Sequence, residues 1–173
     1  MRQMKREYIN DFIELARDTI QGGQVKEMDR YIQHSSITCL QHCVIVAYYS
    51  FYWNRKYHLG CDEASLVRGA LLHDYFLYDW HDGDKSHRLH GFYHPGRALA
   101  NAQRDFHLND IERDIIKKHM WPLTPALPRF REAWLVCAVD TVSCVIEVVT
   151  VIRFLRALRK KWLFGLMRVP KGC

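Results

Sequence analysis

Three apolar stretches of this chain are each interrupted by an isolated polar unit, and no other feature constrains the fold as much. Gly69-Ala70-Leu71-Leu72 runs into His73-Asp74 and then Tyr75-Phe76. His42 lies between Cys39-Leu40-Gln41 and Cys43-Val44-Ile45, and Asp140 between Val136-Cys137-Ala138-Val139 and Thr141-Val142. A carboxylate or imidazole in a buried segment is costly unless it is hydrogen-bonded, paired or bound to a cation. Each unit alone has an ordinary reading. His42 reads as a hydrogen-bonded core histidine and Asp140 as a carboxylate with a hydroxyl partner. His73-Asp74 reads as a charge pair at a helix end. Taken as a set, they point to one polar site assembled from separate helices.

The flanking residues supply those helices. Ile9, Phe12, Ile13, Ala16 and Ile20 share one face over residues 4–20, and Gly22-Gly23 ends that helix. Val25, Met28 and Ile32 face inward in a shorter helix. His34-Ser35-Ser36 is a connector, and Thr38 or a neighbouring serine caps a mostly apolar helix running to about Tyr57. Asp62 opens a helix that carries Leu66, Ala70 and Leu71 to His73-Asp74 and ends near Trp80. Residues 81–93 read as a polar loop. His94-Pro95 starts the next helix, with proline at a favoured first position. Asn109 and Glu112 form a capping box for a helix reaching His119. Pro122, Pro125 and Pro128 then stop helix formation, and a last long helix begins near Arg129. The run Val148-Val149-Thr150-Val151-Ile152 favours strand by propensity. No other segment offers it a partner, so helix is expected there too. The expectation is an all-α bundle forming a single domain over residues 1–173, with a basic tail at 153–173.

Charge and cysteine content narrow the class. The formal charge is +6 with histidines neutral, which favours anionic partners, though much of the excess sits in the tail. The six cysteines include no C-x-x-C pair, and Cys39 and Cys43 are one helical turn apart, poor geometry for a disulfide. Reduced thiols and a cytoplasmic protein without a signal peptide are expected. Ala133 to Ile152 is apolar apart from Asp140 and Glu147 and is followed by basic residues, as a membrane span would be. Two acidic groups inside a span are unfavourable, each by about 2.5–3.5 kcal/mol near its centre. A buried core helix carrying a functional carboxylate fits better.

The order His42, His73-Asp74, Asp140, each on its own helix, resembles the defining pattern of the HD superfamily of metal-dependent phosphohydrolases. The span from His34 to Glu147 covers about two-thirds of the chain. His94 and His119 fall in the intervals where two-metal members carry extra histidines. The layout is similar to the bacterial diadenosine-tetraphosphate hydrolases of that superfamily. It is also similar to a group of bacterial HD proteins with a Leu-Leu-His-Asp-Tyr-Phe-Leu-Tyr-Asp-Trp segment, matched at residues 71–80. The chain lacks the Gly-Tyr-Pro motif and His-His pair of the cyclic-dinucleotide phosphodiesterases. Leu77 stands where many members carry a lysine.

The resemblance implies an HD-type helical bundle holding one or two divalent transition metals: iron, manganese, zinc or nickel. His42, His73, Asp74 and Asp140 would hold one ion. Asp74, His94 and His119 would hold a second, with Asp74 bridging and His90 as an alternative to His94. A metal-bound hydroxide would cleave a phosphate ester or anhydride of a small substrate, expected to be a nucleotide, with His73 and Asp74 at the catalytic centre. Arg68, Lys85 and Arg97 are candidate phosphate contacts. Lys118 reads as solvated, and His34, His81 and His87 as supporting or surface groups. Trp121 to Pro125 can wall the cleft, although Trp121 serves equally as core. No specific nucleic-acid partner is expected, and a homodimer is possible. Two rivals remain open: a di-iron oxygenase of the same superfamily, and a non-enzymatic binding module with an amphipathic tail.

Overall fold

Local capping chemistry sets most element boundaries. The computed structural model describes residues 6–34, 37–81 and 89–166, with side chains at 7–33, 37–81 and 89–149. Helix α1 (Arg6–Gln21) is followed by a 3-10 turn (Val25–Arg30), strands β1 (Ile32–His34) and β2 (Ile37–Thr38), and helix α2 (Cys39–Tyr57). Then come α3 (Glu63–Leu72), α4 (His90–Asp105), α5 (Asp110–Lys118) and α6 (Arg131–Leu166). Thr38 Oγ1 accepts from Gln41 N while Gln41 Oε1 accepts from Thr38 N, a reciprocal cap that starts α2. Asn109 and Glu112 do the same for α5, both bonds 2.9 Å long. Asp62 caps α3 by accepting from Ser65 N at 2.8 Å.

The chain is all-α, as expected, with one small exception. Among the described residues the extended structure is a two-stranded antiparallel ribbon pairing Ile32 with Thr38. Ile32, expected to face inward from a helix, lies in this ribbon and is exposed. Residues 148–152 are helical within α6, and among the described residues no strand is paired with them.

Two helix boundaries differ from expectation, and both differences shape the site. Helix α3 ends at Leu72 rather than near Trp80. Beyond it, the carbonyls of Tyr75 and Phe76 accept from Asn101 Nδ2 of α4, each at 3.0 Å. Leu77 then turns the chain with φ +57°. These two carbonyls are satisfied by a neighbouring helix, while the Tyr75 and Phe76 N–H groups bond locally to the Leu72 and Asp74 carbonyls. Helix α4 begins at His90, one turn before His94-Pro95, so Pro95 lies inside the helix.

Helix α3 is buried on every side, which makes it the central element. It packs against α1, α2, α5 and α6. On one side Phe12, Val46, Phe51, Leu66, Leu71 and Val136 form a core between α1, α2, α3 and α6. On the other, Met28, Cys43, Leu72, Tyr75, Ala98 and Ile116 fill the space toward α4 and α5. Among the described residues no helix is long and apolar enough to cross a membrane. Asp140 and Glu147 of α6 are buried against the rest of the protein.

Candidate metal centre

Five helices deliver one polar cluster to the seam between these two cores. His42 comes from α2, and His73 and Asp74 from the end of α3. His94 comes from α4, His119 from the residue after α5, and Asp140 and Glu147 from α6. None of the seven is more than 6% exposed. Each lies where an apolar helix face meets its neighbours, so the packing that buries the core also buries them.

The histidines share one arrangement. The Nδ1 atoms of His73, His94 and His119 lie 2.7, 2.9 and 3.0 Å from the carbonyl oxygens of Ala70, His90 and Ile116. A carbonyl oxygen only accepts, so each Nδ1 carries the proton and donates it. Each Nε2 therefore keeps its lone pair in the neutral ring. His42 follows the same rule with a carboxylate: its Nδ1 is 3.1 Å from Glu147 Oε1. All four Nε2 atoms turn toward Asp74 or Asp140.

The carboxylates complete the cluster. Asp140 Oδ1 is 2.9 Å from His42 Nε2 and 3.8 Å from His73 Nε2. Asp74 presents its two oxygens to different histidines. Its Oδ1 is 3.1 Å from His94 Nε2 and 3.5 Å from His119 Nε2. Its Oδ2 is 3.5 Å from His73 Nε2 and accepts from Gln33 Nε2 at 2.7 Å. Burial alone would raise the Asp74 carboxyl, but the imidazoles of His73 and His94 and the close approach of the His119 and His94 rings hold it well below the usual carboxylate range. Burial would lower His42, yet its bonds to Asp140 and Glu147 push it well above an ordinary histidine. Burial also lowers His73, which Cys43 and Asp74 nevertheless push up to about 9. His119 is held below its ordinary value, chiefly by burial, with help from the charges of His73 and His94.

These directions describe a pocket that calls for positive charge. One contact shows it most directly. His94 Nε2 and His119 Nε2 are 2.8 Å apart, and both rings already hold their proton on Nδ1. Two lone pairs at that distance repel unless a proton or a metal ion lies between them, and His94 is held above its ordinary value, against its burial, by Asp74. Two nitrogens bound at about 2.0–2.1 Å to one ion, a right angle apart, would be about 2.9 Å from each other. His73 Nε2 and Asp74 Oδ1 are buried without a properly angled hydrogen bond among the described residues. Three trios of possible ligand atoms converge within 4.8 Å: His42/His73/Asp140, His73/Asp74/His119 and Cys39/Cys43/Asp74. The residues present fit one or two divalent metals on nitrogen and oxygen ligands.

All six expected ligands are in this cluster. The ring of His94 reaches it, whereas His90, one turn earlier, is hydrogen-bonded to Tyr78 Oη at 2.8 Å and stacks on Trp80. The cationic candidates lie elsewhere. Arg68 faces Glu112 at 3.7 Å and the Phe106 ring. Arg97 covers the Tyr78 ring at 4.8 Å. Lys118 pairs with Asp114. His81 meets Asp79 and Trp80. Trp121 is half-buried and packs edge-on against Trp134, itself 38% exposed, so it is not a core residue. Lys85 and His87 lie outside the described residues, as does the side chain of His34.

Sequence reasoning overlooked several groups. Glu147 supports His42, and its position two helical turns after Asp140 was a usable signal. Gln33 orients Asp74 from the ribbon, for which the sequence carried no signal. Cys39 Sγ donates to the Asp74 carbonyl at 3.2 Å, and Cys144 Sγ to Asp140 Oδ1 at 3.5 Å. Asp140 has no hydroxyl partner among the described residues: Thr141 donates back to Cys137 O instead. The five described cysteines are all unpaired.

A cavity of about 660 Å³ opens over the cluster. Asp74, His94 and Asp140 contribute to its floor, and Trp80, Leu89, Met120, Val145, Val148 and Val149 to its walls. No family model, curated protein or solved structure matches this chain.

Proposed function

We propose that the chain is a metal-dependent hydrolase of phosphate esters or anhydrides. One observation carries the reading. Four buried histidines, each with its Nδ1 proton engaged elsewhere, turn Nε2 toward two carboxylates. Structural histidines have no need of that shared orientation, whereas metal ligands require it. The ligand order along the chain, a helix-borne histidine, His-Asp and a late aspartate, resembles the HD superfamily and suggests the reaction class.

When bound, one or two divalent ions of iron, manganese, zinc or nickel would supply a water of lowered pKa and polarise a phosphoryl oxygen. The protein's own residues do the rest. Glu147 fixes the His42 tautomer, and Gln33 fixes the rotation of Asp74. Asp74 can serve two ligand sets through its two oxygens, so it and His73 stand where the sets join.

The His73→Ala/Asp74→Ala double variant should lose both bound metal, by elemental analysis of anaerobically purified protein, and phosphatase turnover. A folded, metal-free double variant with full turnover would overturn the reading. The cavity walls favour a second reading. Among the described lining residues there is no lysine or arginine, which suits a neutral substrate and an iron-dependent oxygenase. Oxygen uptake without phosphate release would select it.

A further inference from the structure

We propose that the cavity over the cluster binds an amphiphile, with one oxyanionic head at the His/Asp floor and an aliphatic body along the walls. The proposal rests on the metal-centre reading and names the substrate class of that site.

The polarity of the cavity is sharply divided. Its floor holds Asp74, His94 and Asp140, all buried. Apart from Gln33, Trp80 and His90, its walls are apolar. Val145, Val148 and Val149 are spaced i, i+3 and i+4, so they share one face of α6. They are 57%, 44% and 45% exposed, and across the cavity Leu89 is 63% exposed. Isolated apolar residues on a surface are ordinary. These four line a single concavity that descends to the candidate metal ligands, so their apolar surface continues to the reactive end.

The walls are poorly suited to a nucleotide. A polyphosphate carries several negative charges, and the described lining offers no lysine or arginine to meet them. A ribose and base need several hydrogen-bond partners, and outside the floor only Gln33, Trp80 and His90 of the described lining side chains offer strong ones, since valine, leucine and methionine cannot. Among the described lining residues, Trp80 Nε1 and Gln33 Oε1 are polar atoms without a partner. The Trp80 N–H can donate to one oxygen of a head held at the floor. That provision suits a single head group. The volume is in the range that encloses a small organic ligand, roughly 300–1,000 Å³.

The test is calorimetric titration of the full chain loaded with Mn²⁺. The ligands are inorganic phosphate, butyl, hexyl and octyl phosphate below their micelle concentrations, and adenosine monophosphate. Affinity should rise with chain length, by up to about fourfold per buried methylene. At least a tenfold gain is expected from butyl to octyl phosphate. Val145→Asn and Val149→Asn are neutral substitutions at exposed positions. Each should flatten the series while leaving manganese content unchanged, since neither valine is a candidate ligand. A flat series in the unmodified protein, or adenosine monophosphate binding more tightly than octyl phosphate, overturns the proposal. Chain-length-dependent binding without phosphate release overturns the hydrolase reading and supports the amphiphile. Phosphate release with a flat series does the opposite.

Discussion

A histidine can offer a lone pair to a cation only while its other ring nitrogen holds the proton. For His42 that proton is held toward Glu147, making Glu147 a positioning residue. Glu147→Leu should weaken metal binding by about 10–100-fold, and Glu147→Gln by less, since its amide oxygen still accepts. Competition against a chelating dye reads this directly, and equal affinities in all three proteins would refute it. Away from the site, the Tyr75 hydroxyl donates to Asp105 at 2.7 Å and accepts from Gln24 N at 2.6 Å. The Arg104 guanidinium, with the Tyr75 hydroxyl, holds the Asp105 carboxyl below its ordinary value, against its burial. A depressed carboxyl contributes stability above its unfolded value of about 3.9, and loses it as pH falls through the folded value. Asp105→Asn should therefore destabilise the protein by about 1 kcal/mol near neutral pH. In urea melts the gap from the unmodified protein should close as the pH falls below the ordinary carboxylate range. A gap that persists in acid would show that the charge is not its source.

At the scale of elements, the approach of α3 to α5 brings His73 and His119 together. Their ring centroids are 4.8 Å apart. Gly69 permits the approach: a Cβ there would lie 2.5 Å from Ile115 Cδ1 and 3.1 Å from Ile115 Cβ. The first clash can be relieved by rotating a flexible tip, but the second involves the branch point of the side chain. Gly69→Ala should cost about 1–3 kcal/mol in denaturant melts, even though alanine is the better helix former. A stability gain would show that the helices have room to separate. The early end of α3 matters equally. Asn101 draws the backbone after Asp74 toward α4, bringing the aspartate and His94 onto one site.

At the scale of the whole molecule, one cluster buries four imidazoles and three carboxylates together. Such a cluster stabilises the fold only when its charges are matched. A metal that binds only the folded state adds stability by mass action, about 2.7 kcal/mol at a free concentration 100 times its dissociation constant. Chelation should lower the melting temperature by several degrees, and restoring manganese or zinc should reverse the change. Identical melting curves with and without chelator would argue against a resident ion.

Much of the helical framework was legible locally. Thr38, Asp62 and Asn109 cap the helices that their sequence contexts marked, because a cap is a contact between residues three apart. The six candidate ligands were legible for a related reason: an isolated charge in an apolar helix calls for an explanation in sequence alone. Three features depended on distant segments meeting. Asn101 ends α3 from 25 residues away, and Gln33 reaches Asp74 across 41. The valines beside the cluster looked like ordinary core or strand residues until α6 turned one face of them toward the cavity. Helix periodicity and capping act within a few residues of chain, so sequence determined which side chains each helix would carry. Which of those side chains meet, which nitrogen faces inward and what lines the entrance depend on how the helices pack, and the tertiary structure alone decided them.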